Sequence, residues 1–510
     1  MPKYSTVRKL LSIGEDESVA ILGSQRKELT YGNLREQVDE TVLSLNKFGI
    51  GRNDRVSIVL PNGPEMAMAF VSIASGATTA PLNPAYREEE FEFYLADLQS
   101  KALLVEAGSN SSAVNAADKL NIPVLDLVLD DSGPVGRFKI IPRGDFRHSK
   151  SDLSGGLASV DDVALVLHTS GTTSRPKIVP LSHRNVCASA EHICETLSLK
   201  KRDRCLNVMP LFHIHGLIAG ILSSLYAGAS VFCTPGFNGL RFFSWLEEAK
   251  PTWYTAVPTM HQMILSMAGR NQDIIDSHGL RFIRSSSASL PPQVMQRLEE
   301  VFSSPVVEAY AMTEAAHQMT CNSLPPGKRK PGTVGRAAGP EVAIMNEEGL
   351  FLSIGDVGEV VIKGPNVTSG YENNPIANNE AFKNGWFRTG DQGKLDLDGY
   401  LTITGRLKEI INRGGEKISP LEIDDVLMDH PSVEQVVTFA MPHSKLGEEV
   451  AVAIVLREGN KAEERDIQTF ANERLANFKV PRKVLFLDEI PKGPTGKIQR
   501  IGLAEKLGIG

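Results

Sequence analysis

Apolar and polar residues alternate along this chain in two rhythms. "LTYGNLREQVDETVLSLNKFGI" carries its apolar residues at helical spacing, whereas "DRVSIVLPN" is a short apolar run that stops at a turn, the mark of a buried strand. "PEMAMAFVSIASGATTAPLNP" reads as helix, glycine break and strand. From residue 161 the rhythm begins again with strand "VALVLHT", helix "RNVCASAEHICETLSL", strand "CLNVMP", then a further helix and strand. "PTWYTAVPTMHQMIL" continues it, and "LRFIRSSSASLPPQVMQRLEEVF" is strand, small-residue loop and helix. Such alternation predicts an α/β chain with parallel sheets covered by helices. Beyond residue 331 short glycine-punctuated runs such as "GEVVIKGPNVTSGY" and "DGYLTITGR" predict β-hairpins in a third, smaller unit. After Gly405 a compact α+β tail is expected, with "PLEIDDVLMDHP" as a helix and "VEQVVTFAMP" and "EVAVAIVLRE" as strands.

"IHGLIAGILSSLYAGASVFC", residues 214 to 233, is uncharged over about the length of a membrane span. Small residues interrupt it every few positions, which suits a helix buried against a sheet and followed by a strand. The N-terminus lacks a long apolar core and the C-terminus "EKLGIG" is neither an SKL-type tripeptide nor a prenylation box, so a cytoplasmic protein is expected. At 510 residues the chain is too long for one core. Its net charge of -7 argues against a nucleic-acid partner. The five cysteines are odd in number and lack CxxC spacing, which favours a reducing compartment over a disulfide framework or zinc site.

The chemistry begins where an apolar strand ends in "TSGTTSRPK". Thr169, Ser170, Gly171, Thr172 and Thr173 offer hydroxyls and amides, Gly171 permits close backbone approach, and Lys177 adds a cation. That set can cradle a phosphate chain, although it is not the G-x-x-x-x-G-K-[ST] P-loop. The plain alternative is a polar surface turn.

With this loop, "EAYAMTE" (308–314), "WFRTGD" (386–391), "GRLKEIINRGGEKISP" (405–420) and "PTGKIQR" (494–500) follow in order. Together they resemble the adenylate-forming superfamily of acyl-CoA synthetases, luciferases and peptide-synthetase adenylation domains, over nearly the whole chain. The resemblance implies a large N-terminal AMP-binding domain, residues 1–405, of two stacked α/β subdomains and a β-rich subdomain. A small mobile α+β domain, residues 406–510, would carry the catalytic lysine. It implies ATP, Mg²⁺ and coenzyme A as cofactors: a carboxylate attacks the α-phosphate to give an acyl-adenylate and pyrophosphate, and the CoA sulfur then displaces AMP.

Roles follow for individual residues. In "EAYAMTE", which opens with Glu308 and Ala309, Tyr310 offers a face to adenine, Thr313 a hydroxyl to the α-phosphate, and Glu314 a hard oxygen for Mg²⁺. Asp391 matches the carboxylate that accepts both ribose hydroxyls, and Arg406 assists at ribose or phosphate. "SSSASLP" (285–291), with Ser287, Ala288 and Ser289, resembles the floor beneath adenine and acyl group. Lys497 is the implied bridge between the acid and the α-phosphate. Lys408 occupies the hinge position, and Gly414 and Gly415 would let backbone approach the pantetheine arm. One departure stands out: the usual Pro-Lys-Gly here reads Pro176-Lys177-Ile178, and a β-branched residue disfavours positive φ, so the backbone after Lys177 is expected to differ.

For the acid, "RFIRSSSASL", "PTWYTAVPT" and "EAYAMTEAAHQM" look closest to the oxalate–CoA ligase branch, related to the coumarate ligases, and "PLFHIHGL" places His213 and His215 near the sheet's edge. His317, three residues or one helical turn beyond Glu314, is expected with Ser285, Ser287 and Ser289 to hold a distal carboxylate, and His213 to close the pocket. The alternatives are a medium-chain fatty or aromatic acid, a carrier-protein loading domain, or a nucleotide-binding homologue without activity. No partner beyond these small molecules is expected, and the chain is read as a monomer or weak homo-oligomer.

Overall fold

The computed structural model describes residues 3–144, 155–169, 176–491 and 499–510. Four sheets organise them. A seven-stranded sheet holds Phe138–Pro142, Val124–Leu129, Ala102–Glu106, Arg55–Val59, Thr78–Pro81, Val163–Thr169 and Lys177–Ser182 in that spatial order. A nine-stranded sheet runs from Arg336–Ala337 through His317–Cys321, Val306–Met312, Phe282–Ser286, Trp253–Ala256, Arg204–Asn207 and Ser230–Cys233 to Val19–Leu22 and Leu29–Thr30. Its central strands are parallel, and His317–Cys321 joins antiparallel.

The predicted strands and helices fall close to their expected places, but their pairing differs from the linear reading. Val163–Thr169 does not open the second unit; it joins the first sheet beside Thr78–Pro81. The hairpin of Val19–Leu22 and Leu29–Thr30 lies along Ser230–Cys233 at the edge of the second sheet. Periodicity identifies a strand but carries no information about a neighbour 200 residues away.

The uncharged stretch 214–233 is an interior element. His215–Leu222 is a π-helix that passes into an α-helical turn, Ser223–Tyr226, and then the strand Ser230–Cys233; from Ile214 to Cys233 every residue is buried. Gly216 and Gly220 are required there. A Cβ on Gly216 would sit 2.5 Å from the Pro210 carbonyl oxygen, and one on Gly220 2.5 Å from Asn207 Oδ1. Among the described residues no helix is long and apolar enough to cross a membrane.

The third sheet is antiparallel and ends with Trp386–Leu395 and Leu401–Arg406. The fourth begins at Ile411–Arg413 and contains the long hairpin Val433–His443 and Gly447–Leu456, with Pro420–Met428 packed on Val433–His443. Ile178 lies inside the strand Lys177–Ser182, opposite His168, with its side chain buried. The extended backbone there suits a β-branched residue, so the departure from glycine introduces no strain at Ile178 itself.

Candidate active site

The parallel strands of the nine-stranded sheet deliver their carboxyl ends to one place, where open α/β sheets hold ligands. Val306–Met312 ends there in a 3₁₀ turn of Thr313, Glu314 and Ala315. Glu314 is 6% exposed and its Oε1 accepts from the Tyr371 hydroxyl at 2.8 Å. The Lys177 ammonium stands 4.4 Å from the centre of the Tyr371 ring. Burial raises the Glu314 carboxyl above the ordinary glutamate value, against the Tyr371 hydrogen bond and the charges of Arg406 and Lys177.

Asp391 comes from the third sheet. Gly390, at φ 75°, makes the bend before it, and the Asp391 amide donates to Thr389 Oγ1 at 3.1 Å. Its Oδ2 accepts from the Tyr310 hydroxyl, and its Oδ1 accepts from Arg406 Nε at 3.0 Å. Burial together with the Asp391 charge pushes the Tyr310 phenol far up, and Asp391 raises the Arg406 guanidinium. A carboxylate held between a phenol and a guanidinium can accept further hydroxyl donors, such as the two of a ribose.

Glu308 is 2% exposed and accepts from the Leu290 amide at 2.8 Å, so it pins the end of the loop 287–290; Ala309, next to it, is also buried. Burial first, and then Asp425 across from it, push the Glu308 carboxyl up to about 8. The folded state therefore holds a proton that the unfolded chain releases near 4.5. That contribution to stability is full below about 4.5 and is lost as pH rises through about 8, with a slope of up to about 1.4 kcal/mol per pH unit for one proton. Glu308→Gln should flatten the fall in denaturation midpoint between pH 6 and 9. Equal slopes in variant and wild type would place the titrating group elsewhere.

The residues expected at the acyl group are placed differently from expectation in two respects. His317 is not one helical turn above Glu314. The 3₁₀ turn ends at Ala315, Ala316 and His317 have φ of 48° and 101°, and His317 opens an antiparallel strand. Its ring is buried and stacks on that of His215, with centroids 4.8 Å apart. It is also His215, not His213, that meets the serine loop: Ser287 Oγ lies 3.0 Å from His215 Nδ1, and Thr255 Oγ1 lies 2.6 Å from Nε2. Half-buried His213 sits in the turn before this helix. Ser285 is fully buried in its strand, Ser287 adopts φ 76°, and Ala288 and Ser289 are exposed. Behind His215 lies Arg284, 0% exposed, with Nη1 3.4 Å from His215 Nε2.

Of the phosphate loop, Thr169 and Lys177 are described and face each other across paired strands; Ser170, Gly171, Thr172, Thr173 and Lys497 lie outside the described residues. Lys408 is exposed in the turn after Arg406, and Gly414 and Gly415 form the tip of the hairpin Ile411–Ile418 at φ 59° and 100°. Three residues of the site, Tyr371, His215 and Arg284, were not assigned from the sequence. Arg284 had a visible signal, a charge inside the apolar strand "RFIRSS". Tyr371 had none, because its reach to Glu314 is purely tertiary.

The AMP-binding enzyme family matches residues 14–372, and the AMP-binding enzyme C-terminal domain matches residues 422–497. The chain belongs to the AMP-binding enzyme family. An oxalate–CoA ligase of Arabidopsis thaliana is 47% identical over 486 residues, 94% of each chain. An oxalate–CoA ligase of Saccharomyces cerevisiae is 44% identical, over 89% of this chain and 87% of its own. ATP-bound MatB of Rhodopseudomonas palustris superposes with a TM-score of 0.87 at 28% identity, covering 99% of both chains. The α/β architecture with a small C-terminal domain is thus the family's fold.

Proposed function

We infer that the protein is an AMP-forming acid–CoA ligase, and we propose that its acid is oxalate. The two oxalate–CoA ligases similar over most of the chain support this reading. The observation that carries it is the polar acyl wall, in which His317 stacks on His215 and His215 meets the Ser287 hydroxyl. An apolar tail gains nothing from these groups, whereas a second carboxylate needs donors to leave water.

For the adenylate half-reaction the roles proposed are these. Asp391 receives the ribose, Tyr310 lies beside the adenine, and Thr313, Lys177 and the loop from Thr169 meet the phosphates. Glu314 would hold Mg²⁺. One buried glutamate, with one oxygen engaged by Tyr371, fits an ion that takes most of its ligands from phosphate and water. An ion held there would supply charge neutralisation for the leaving pyrophosphate. Residues 406–510, hinged at Lys408, turn to bring CoA to the adenylate past Gly414 and Gly415.

The test is a panel of carboxylic acids assayed for CoA-dependent AMP release, with wild type and His317→Ala. Oxalate should be the preferred acid. The variant should lose at least about tenfold more activity with oxalate than with a short monoacid, because a site built to bond a group discriminates steeply when the bond is lost. Preference for cinnamate-like or medium-chain acids would overturn the oxalate assignment and leave the ligase class intact.

A further inference from the structure

Arg284 is an anomaly of the fold. It sits in the middle of the strand Phe282–Ser286, fully buried, with Ile283 and Ser285 on either side. Among the described residues no carboxylate pairs with it. Its contacts are His215 Nε2 and Thr255 Oγ1, each at 3.4 Å, and Gln318 Oε1 at 3.3 Å, and its Nε has no hydrogen-bond partner. Burial lowers its guanidinium to about 10, which leaves it charged at neutral pH. A buried charge with only neutral partners, all of them long contacts, is costly, and an anion brought near it would offset that cost.

The contacts also give the charge a direction. An arginine can only donate, and Thr255 Oγ1 lies 2.6 Å from His215 Nε2 and 3.4 Å from the guanidinium; in the arrangement where Nε2 accepts from both Thr255 and Arg284, the ring proton resides on Nδ1. Nδ1–H then donates to Ser287 Oγ at 3.0 Å, which turns the serine hydroxyl proton outward. Ser287 is held at φ 76°, and His317, stacked on the same imidazole, at φ 101°. Two non-glycine residues in sparsely populated backbone regions thus meet at one ring, and such outliers gather where a binding geometry is enforced. The imidazole belongs to the first turn of the π-helix His215–Leu222, a rare element that gathers at functional positions.

We propose that Arg284 is a positioning residue that makes this ligase select dicarboxylates. Its buried positive charge, relayed through neutral His215 to the Ser287 hydroxyl, supplies the counter-charge for the second carboxylate of the acid. This inference rests on the oxalate reading above, and it goes further by assigning the discrimination to a residue that does not touch the substrate.

The experiment compares oxalate with oxamate, in which the distal carboxylate is replaced by a neutral amide of the same shape. Acid-dependent ATP–pyrophosphate exchange is measured for wild type, Arg284→Lys and Arg284→Met. Methionine is chosen because an apolar replacement for a buried charge is often tolerated by the fold. Arg284→Met should lose at least about tenfold in kcat/KM for oxalate, mostly through KM, and stay within about threefold for oxamate. Arg284→Lys should recover much of the oxalate preference. Proportional loss on both acids with a lowered Tm would make Arg284 structural and overturn the proposal. Where Arg284→Met does not fold, Ser287→Ala, at a half-buried loop position, decides: it should weaken oxalate about tenfold more than oxamate, and equal weakening overturns the relay. Wild type that prefers a monoacid refutes the oxalate reading itself, an outcome separate from any failure of the variants.

Discussion

Glu314→Gln is expected to slow acyl-adenylate formation on the order of 10² to 10³-fold, the scale for losing one preorganised electrostatic contact. Glutamine keeps the volume and can still accept from the Tyr371 hydroxyl, so the turn at 313–315 and the strand after it should be preserved. What disappears is the charge that would hold Mg²⁺ against the phosphates. The Mg²⁺ concentration for half-maximal rate should therefore rise along with the fall in kcat. The pH profile separates this role from a structural one. Because burial raises the Glu314 carboxyl, wild-type adenylation should decline on the acid side from a pH above the ordinary glutamate value of 4.5. Protonation removes the negative charge as pH drops, and the glutamine variant has no such limb to lose. Pyrophosphate exchange across a pH and Mg²⁺ series checks both points. A variant with unchanged Mg²⁺ dependence would remove Glu314 from the metal site.

Much of the fold was legible because a buried helix and a buried strand each impose a period that one window of sequence reveals. Sheet membership was not, since the placement of Val19–Leu22 beside Ser230–Cys233 depends on a partner far along the chain. The gathering of the motif residues was legible for a different reason. Glu314, Asp391, Arg406 and Lys177 lie in short motifs whose order is itself a signal, and the structure gathers them around Tyr310 and Tyr371. The acyl side depended on direction, which motifs do not carry. His213 and His215 differ by two positions, yet His213 lies in the turn before the helix and His215 in its first turn, and it is His215 that meets Ser287. His317 was expected on a helix because it follows Glu314 by three. Positive φ at Ala316 and His317 instead reverses the chain into an antiparallel strand, and neither residue type announces that conformation.

Lys497→Ala should separate the two half-reactions more sharply than any other substitution. Lys497 lies outside the described residues, so its role rests on the motif "GPTGKIQR" and the family to which the chain belongs. The chain just beyond it is firmly held. Arg500, three residues on, donates to Asp424 in the helix Pro420–Met428 and lies 3.6 Å from Glu409 in the turn that follows Arg406. Burial would disfavour the Arg500 charge, but Asp424 and Glu409 outweigh it and hold the guanidinium above its usual value. Arg500 thus ties the described segment from residue 499 onward to the helix Pro420–Met428. If that domain presents the lysine to the acid and the α-phosphate only during adenylation, the alanine variant should lose on the order of 10² to 10³-fold in pyrophosphate exchange, again the cost of one positioned charge. Transfer of a preformed acyl-adenylate to CoA should stay within a few-fold of wild type, because the proposed rotation would by then have carried the lysine away from the adenylate. The check is a pair of single-turnover assays, one started from ATP and oxalate, the other from synthetic oxalyl-adenylate and CoA. Equal losses in the two would mean that Lys497 serves the fold or both steps alike, and the domain rotation would lose its main kinetic support.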